Sequence, residues 1–109
     1  MSASRGIYLG MMASYLEMGV EIIKIDHENK ILYITIPENS YVYNEAKLRE
    51  SRLQSPDDLA KRIKETWIEM GIFPETCKVK YKTIPGYWSK EKGHKNREDN
   101  IHKFLNIPY

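Results

Sequence analysis

The firmest pattern along the chain is a pair of apolar runs around a polar break, VEIIKIDHENKILYITIP, residues 20–37. Both runs are rich in β-branched residues, and DHENK offers a polar tip where Asn29 can take positive φ, so the stretch predicts a β-hairpin. With His27–Lys30 as the loop, Asp26 faces Ile31, and Ile25 pairs with Leu32, Ile23 with Ile34 and Glu21 with Ile36. That set forms the core side, while Lys24, Tyr33, Ile22 and Thr35 make a mixed outer face.

Before the hairpin, residues 5–18 carry Tyr8, Met11, Met12, Tyr15 and Leu16 at three- and four-residue spacing, with Leu9 and Met18 widening the stripe. This predicts an amphipathic helix with Ser4 as N-cap and Gly19 at the C-terminal stop. After the hairpin, residues 38–55 are polar, and NEAKLRESRLQ is compatible with a short helix beginning after Asn44. The next element is more explicit. Ser55-Pro56-Asp57-Asp58 supplies a cap, a proline at the first helical position and acids near the positive end of the dipole. Leu59, Ile63, Trp67 and Met70 then share one helix face, Gly71 ends it, and Ile68 falls opposite, beside Lys61 and Lys64.

After IFPET, residues 77–84 alternate strictly: Cys77, Val79, Tyr81 and Thr83 against Lys78, Lys80 and Lys82. Pro85-Gly86 reads as the turn that ends this strand. Beyond Gly93, Asn96 caps a short terminal helix docked by Ile101, Phe104 and Leu105, and Pro108 closes the chain. Residues 1–4 and parts of 86–109 are expected to be mobile.

Assembled, these elements predict an α+β fold in one domain over residues 1–109. Its three-stranded antiparallel sheet has order 2-1-3, with the first strand central and helices on one face. A right-handed crossover through the 55–71 helix returns the third strand parallel to the second. The αββααβ element order resembles a type II KH domain, a module that clamps a nucleic-acid backbone with a GxxG loop between consecutive helices. The corresponding segment here, RLQSPD, contains no glycine, so the resemblance carries no site residues across.

Composition adds little beyond an ordinary globular domain, 41% hydrophobic and 29% charged. The abundance of Ile, Lys, Tyr and Asn beside few Ala and a single Gln fits an AT-rich genome, that of a thermophile or of a mobile element such as a virus or plasmid. Cys77, the single cysteine, cannot form an internal disulfide and reads as a small core residue. No stretch reads as a secretory signal or membrane span, so a cytoplasmic, intracellular protein without a membrane partner is expected.

Charge changes the picture more. Met1–Cys77 holds nine Lys/Arg against twelve Asp/Glu, a balance of −3, whereas Lys78–Tyr109 holds eight against three, a balance of +5. Such an asymmetry points to a polyanionic partner. Lysines two apart on a strand stand about 6.6–6.8 Å apart on one face, so Lys78, Lys80 and Lys82 form a regular basic row. Lys90, Lys92, Lys95 and Arg97 extend it, and Tyr87 and Trp88 bring aromatic rings alongside, with Tyr33 on the same sheet face.

A basic track with interleaved rings suits single-stranded nucleic acid more than duplex, with DNA and RNA both open, and with little reading of sequence. Edge protection by lysines, and Trp88 folding back on the core, are the plainer uses of the same residues.

Two other functions compete. The Met- and Tyr-rich first helix offers Tyr8, Met11, Met12 and Tyr15, with Ile68, as a homodimer or partner surface for an adaptor or inhibitor-type module. A small metal-dependent nuclease built on Asp26, Glu28 and Glu38 is the third. His27, His94 and His102 have no ligand spacing among themselves or with Cys77, and no phosphate loop or nucleophile elbow occurs. No cofactor, metal or catalytic residue is therefore assigned.

Overall fold

The computed structural model describes residues 5–71 and 74–102, with backbone alone for 5–9. Ser4, the Tyr8 side chain, Phe104, Leu105 and Pro108, all given roles above, lie outside the described residues. The order is α1 (Arg5–Glu17), β1 (Glu21–Asp26), β2 (Ile31–Ser40), α2 (Tyr41–Leu48), α3 (Pro56–Glu69), β3 (Lys78–Trp88) and α4 (Lys90–Asn100).

The fold is α+β, but the sheet is mixed and ordered β1-β2-β3, which corrects the expected antiparallel 2-1-3 arrangement. β3 does return parallel to β2, as the crossover requires, yet it settles beside β2 and not beside β1. Burial gives the reason. Leu32, Ile34 and Ile36 of β2 are at most 2% exposed, so of the two hairpin strands the longer, β2, takes the centre, where both its edges are paired.

The hairpin loop is residues 27–30 as expected, although the positive φ falls on Lys30 (57°) and not on Asn29. Asp26 fixes this turn by accepting from the Asn29 amide at 3.0 Å and from its Nδ2 at 2.9 Å. These bonds, the side-chain one first, hold the Asp26 carboxyl below its ordinary value.

The register begins as expected, with Asp26 opposite Ile31 and Ile25 opposite Leu32, and then slips. Between Ile22 and Lys24 a β-bulge moves Ile22 opposite Ile34 and Glu21 opposite Thr35. Ile23, expected in the core, is therefore 62% exposed, and Ile22 packs against the core in its place. A bulge inserts one unpaired residue and reverses the facing of everything beyond it.

A second bulge overturns the expected end of β3. Ile84 opposes Pro37 and Tyr87 opposes Asn39, so Pro85 and Gly86 are accommodated inside the strand, with Gly86 at φ +101°. Pairing continues to Trp88. Ser89, not Asn96, caps α4 by accepting from Lys92 N.

Helix α2 begins at Tyr41, ahead of the expected start after Asn44, because the Ser40 hydroxyl accepts from Val42 N at 3.2 Å. The α3 signals act as read: Ser55 Oγ accepts from Asp58 N at 3.2 Å, with Pro56, Asp57 and Asp58 in the first turn.

The core gathers Met12, Tyr15, Leu16 and Val20 with Leu32, Ile34, Ile36, Tyr43, Leu59, Ile63, Trp67, Met70 and Cys77. α1, α2 and α3 thus meet one face of the sheet. Two buried tyrosines place their hydroxyls on partners: Tyr15 donates to Thr66 Oγ1, and Tyr43 donates to the Pro37 carbonyl at 2.9 Å. Burial pushes Tyr43 up to about 12, so it remains a donor at neutral pH.

The sheet face and the basic residues

Parallel pairing brings side chains into rows across the sheet. Lys78 stands beside Ile31, Lys80 beside Tyr33 and Lys82 beside Thr35, while Leu32, Ile34 and Ile36 pair with Val79, Tyr81 and Thr83 on the core side. On the other flank Lys24 opposes Tyr33, and its Nζ lies 6.0 Å from the ring centroid. The face opposite α1, α2 and α3 therefore has Tyr33 at its centre, between Lys24 and Lys80. Ile31, Tyr33 and Thr35 remain partly exposed, and Lys78, Lys80 and Lys82 are exposed.

None of these three lysines makes an ion pair among the described residues. Among the described residues no acid neutralises their charge. Along the same strand, beyond Lys82, Ile84 is 42% exposed and Tyr87 53%. Together with Pro37, Pro85, Trp88 and Lys92 they line a shallow groove.

The basic residues after β3 behave differently. Arg97 donates to Glu17 at 2.9 Å, Lys95 pairs with Asp99 at 3.4 Å, and Lys92 Nζ lies 5.4 Å from the Trp88 ring centroid. His94 Nε2 sits 3.1 Å from the other Glu17 oxygen. Three of the four expected extensions of the track are therefore engaged inside the chain, and Lys90 stands exposed in the first turn of α4.

Trp88 is turned inward. Its ring packs against Gly19, where an added Cβ would come within 2.8 Å of Cδ2, and Nε1–H donates to the Glu17 carbonyl at 2.8 Å. Asn96 Nδ2 donates to the Leu16 carbonyl at 2.9 Å. Two carbonyls at the end of α1 thus find donors from β3 and α4, which helix termini otherwise leave to water. With the ring held between Gly19 and Lys92, Trp88 offers little face to a base.

Of the residues expected at a partner surface, those described lie in or against the core, and the Tyr8 side chain lies outside the described residues. Met12 is fully buried and Tyr15 is 6% exposed, both in the core, and Met11 and Ile68 pack against it. The stripe is wide because α1 packs against both α3 and α4, a second layer the pattern alone does not reveal. The carboxylate trio is also dispersed: Asp26 is committed to Asn29, and no group of three or more metal-ligating side chains converges among the described residues.

Sequence reasoning placed Lys24 and Tyr33 on this face without assigning them to the site, and it left Lys64 out. The signal for Lys64 was its helical spacing from Lys61, but its relevance depends on β3 being an edge strand next to α3. No family model, curated protein or solved structure matches the chain. The resemblance to a KH domain therefore stays at element order, and the α2–α3 connection, residues 49–55, contains no glycine. Among the described residues no helix is long and apolar enough to cross a membrane.

Proposed function

We propose that the sheet face opposite α1, α2 and α3 binds single-stranded nucleic acid through its backbone, with little sequence reading. The observation that carries this reading is the register of Lys78, Lys80 and Lys82 beside Ile31, Tyr33 and Thr35. A row of cations, unpaired with any acid among the described residues, runs beside a partly exposed aromatic ring. Phosphates meet the lysines and release counterions, and a base stacks on Tyr33, which is worth about 1–3 kcal/mol per stacked base. Tyr87 provides a second ring at the far end of the row. Lys24 supplies positive charge on the opposite side of Tyr33.

The test is fluorescence anisotropy with labelled single- and double-stranded oligonucleotides at about 50 and 200 mM salt, the range over which phosphate-based binding weakens steeply. Tighter binding of the single strand, falling with salt and lost in Lys80→Glu/Lys82→Glu, supports the reading. Binding unchanged in that double variant overturns the site. Failure of the parent chain to bind at the lower salt overturns the function.

A further inference from the structure

β3 leaves one edge of the sheet unpaired, and α3 lies next to that edge. Asp57, Lys61 and Lys64 from α3 face Lys78, Lys80 and Tyr81 from β3 across a groove of about 290 Å³. The backbone contributes as well. Lys78 N–H bonds back to the Lys30 carbonyl at 2.9 Å. Successive residues of a strand aim their N–H groups at opposite edges, so those of Val79 and Tyr81 face the groove on the edge of β3 that pairs with no strand among the described residues.

The groove's charge is strongly one-sided. Its acid, Asp57, is already held by Lys61 at 3.0 Å and by the Tyr81 hydroxyl at 3.5 Å. Lys64, Lys78 and Lys80 make no ion pair among the described residues. Lys64 is partly buried, so its stem lies along the protein surface while its ammonium stays available.

We propose that this groove carries the sugar–phosphate backbone of the strand whose bases lie on the open sheet face, with Lys64 as a phosphate contact and Lys61 holding Asp57 out of its way. The proposal rests on the reading of that face as a nucleic-acid site. Lys80 belongs to both surfaces: it borders the groove and stands beside Tyr33. A phosphate at Lys80 therefore directs its base inward, over the ring. The paired bases of a duplex face its own interior and cannot lie there, so the arrangement selects a single strand.

The experiment measures binding of the full chain to a labelled oligothymidine across a salt series. For single strands the slope of log Kobs on log salt is about −0.7 per phosphate neutralised. Lys64→Gln is expected to make the slope shallower by about 0.7 and to weaken binding several-fold at low salt. Asp57→Asn, which removes the groove's acid, is expected to tighten binding.

If both variants bind like the parent while Lys80→Glu/Lys82→Glu does not bind, the backbone path is overturned and the sheet-face reading survives. If the parent does not bind, both fall. If the parent prefers oligoglutamate to oligothymidine, and Lys64→Gln weakens that, the edge serves strand addition by an acidic peptide and the proposal is overturned.

Discussion

Gly93 of α4 rests against the backbone of Glu17 in α1, so closely that a Cβ at position 93 would stand 2.3 Å from the Glu17 carbonyl oxygen. The contact is with backbone, which cannot swing aside. It also lies beside the Trp88 and Asn96 hydrogen bonds that finish α1. Gly93→Ala is expected to cost about 1–3 kcal/mol, the range for overpacking a close contact, as a lower urea midpoint. Gly10 is the control: it sits inside α1, and beyond the helix's own backbone no atom among the described residues lies within 4 Å of an added Cβ. Gly10→Ala should stabilise by about 0.5–1 kcal/mol.

Two threonines separate a satisfied hydroxyl from an unsatisfied one. Thr66 Oγ1 donates to the Arg62 carbonyl at 2.9 Å and accepts from buried Tyr15. Thr66→Val strands the Tyr15 hydroxyl and is expected to cost about 1–3 kcal/mol. Thr35 Oγ1 is buried without a hydrogen-bond partner among the described residues. Thr35→Val removes that desolvated group and should leave stability unchanged or raise it by about 1 kcal/mol. Equal losses in the two variants, read from urea denaturation, would contradict this placement.

Cys77 is 1% exposed, and burial pushes its thiol above the ordinary value of 9.0, with Lys64 pulling partly the other way. A folded value above the unfolded one means that this contribution to stability is fully present below pH 9.0 and fades as pH rises through the folded value. The native chain should react slowly with a disulfide reagent at pH 8, and the rate should follow the unfolded fraction as urea is added. Rapid native labelling would show that the strand start is open.

What the sequence pattern reveals and what it hides is clearest in the hairpin. Loop placement and the first pairs follow from composition, because a polar tip between β-branched runs leaves few alternatives. The bulge does not, since Ile22 and Ile23 are equally apolar and only packing against the core distinguishes the one that faces inward. The same holds for sheet order: periodicity shows that β3 has a lysine face, but not which neighbour it takes. Ile23→Lys, at a 62% exposed position, is expected to change stability by no more than about 0.5 kcal/mol. Ile22→Lys places an unpaired charge against the core and should unfold the chain or nearly so. Reversed effects in circular-dichroism melts would restore the bulge-free register.

Trp88 and Tyr33 divide stability from binding. Trp88 has aromatic bulk and a basic neighbourhood, which is why its sequence context suggests stacking, but its ring lies on Gly19 and its N–H is spent on Glu17. Trp88→Ala is expected to lose about 2–3 kcal/mol of stability, somewhat less than the 3–5 typical of a fully buried tryptophan. At a temperature where that variant is folded, its affinity for an oligonucleotide should match the parent's. Tyr33→Ala should do the opposite. Its ring supports cross-strand neighbours worth about 0.2–1 kcal/mol, so the melt shifts little, while binding weakens by the roughly 1–3 kcal/mol of one stacked base. Anisotropy titrations beside urea curves on both variants check the pair. Binding lost with Trp88 and kept without Tyr33 would move the stacking surface from the sheet centre to the groove beside Tyr87.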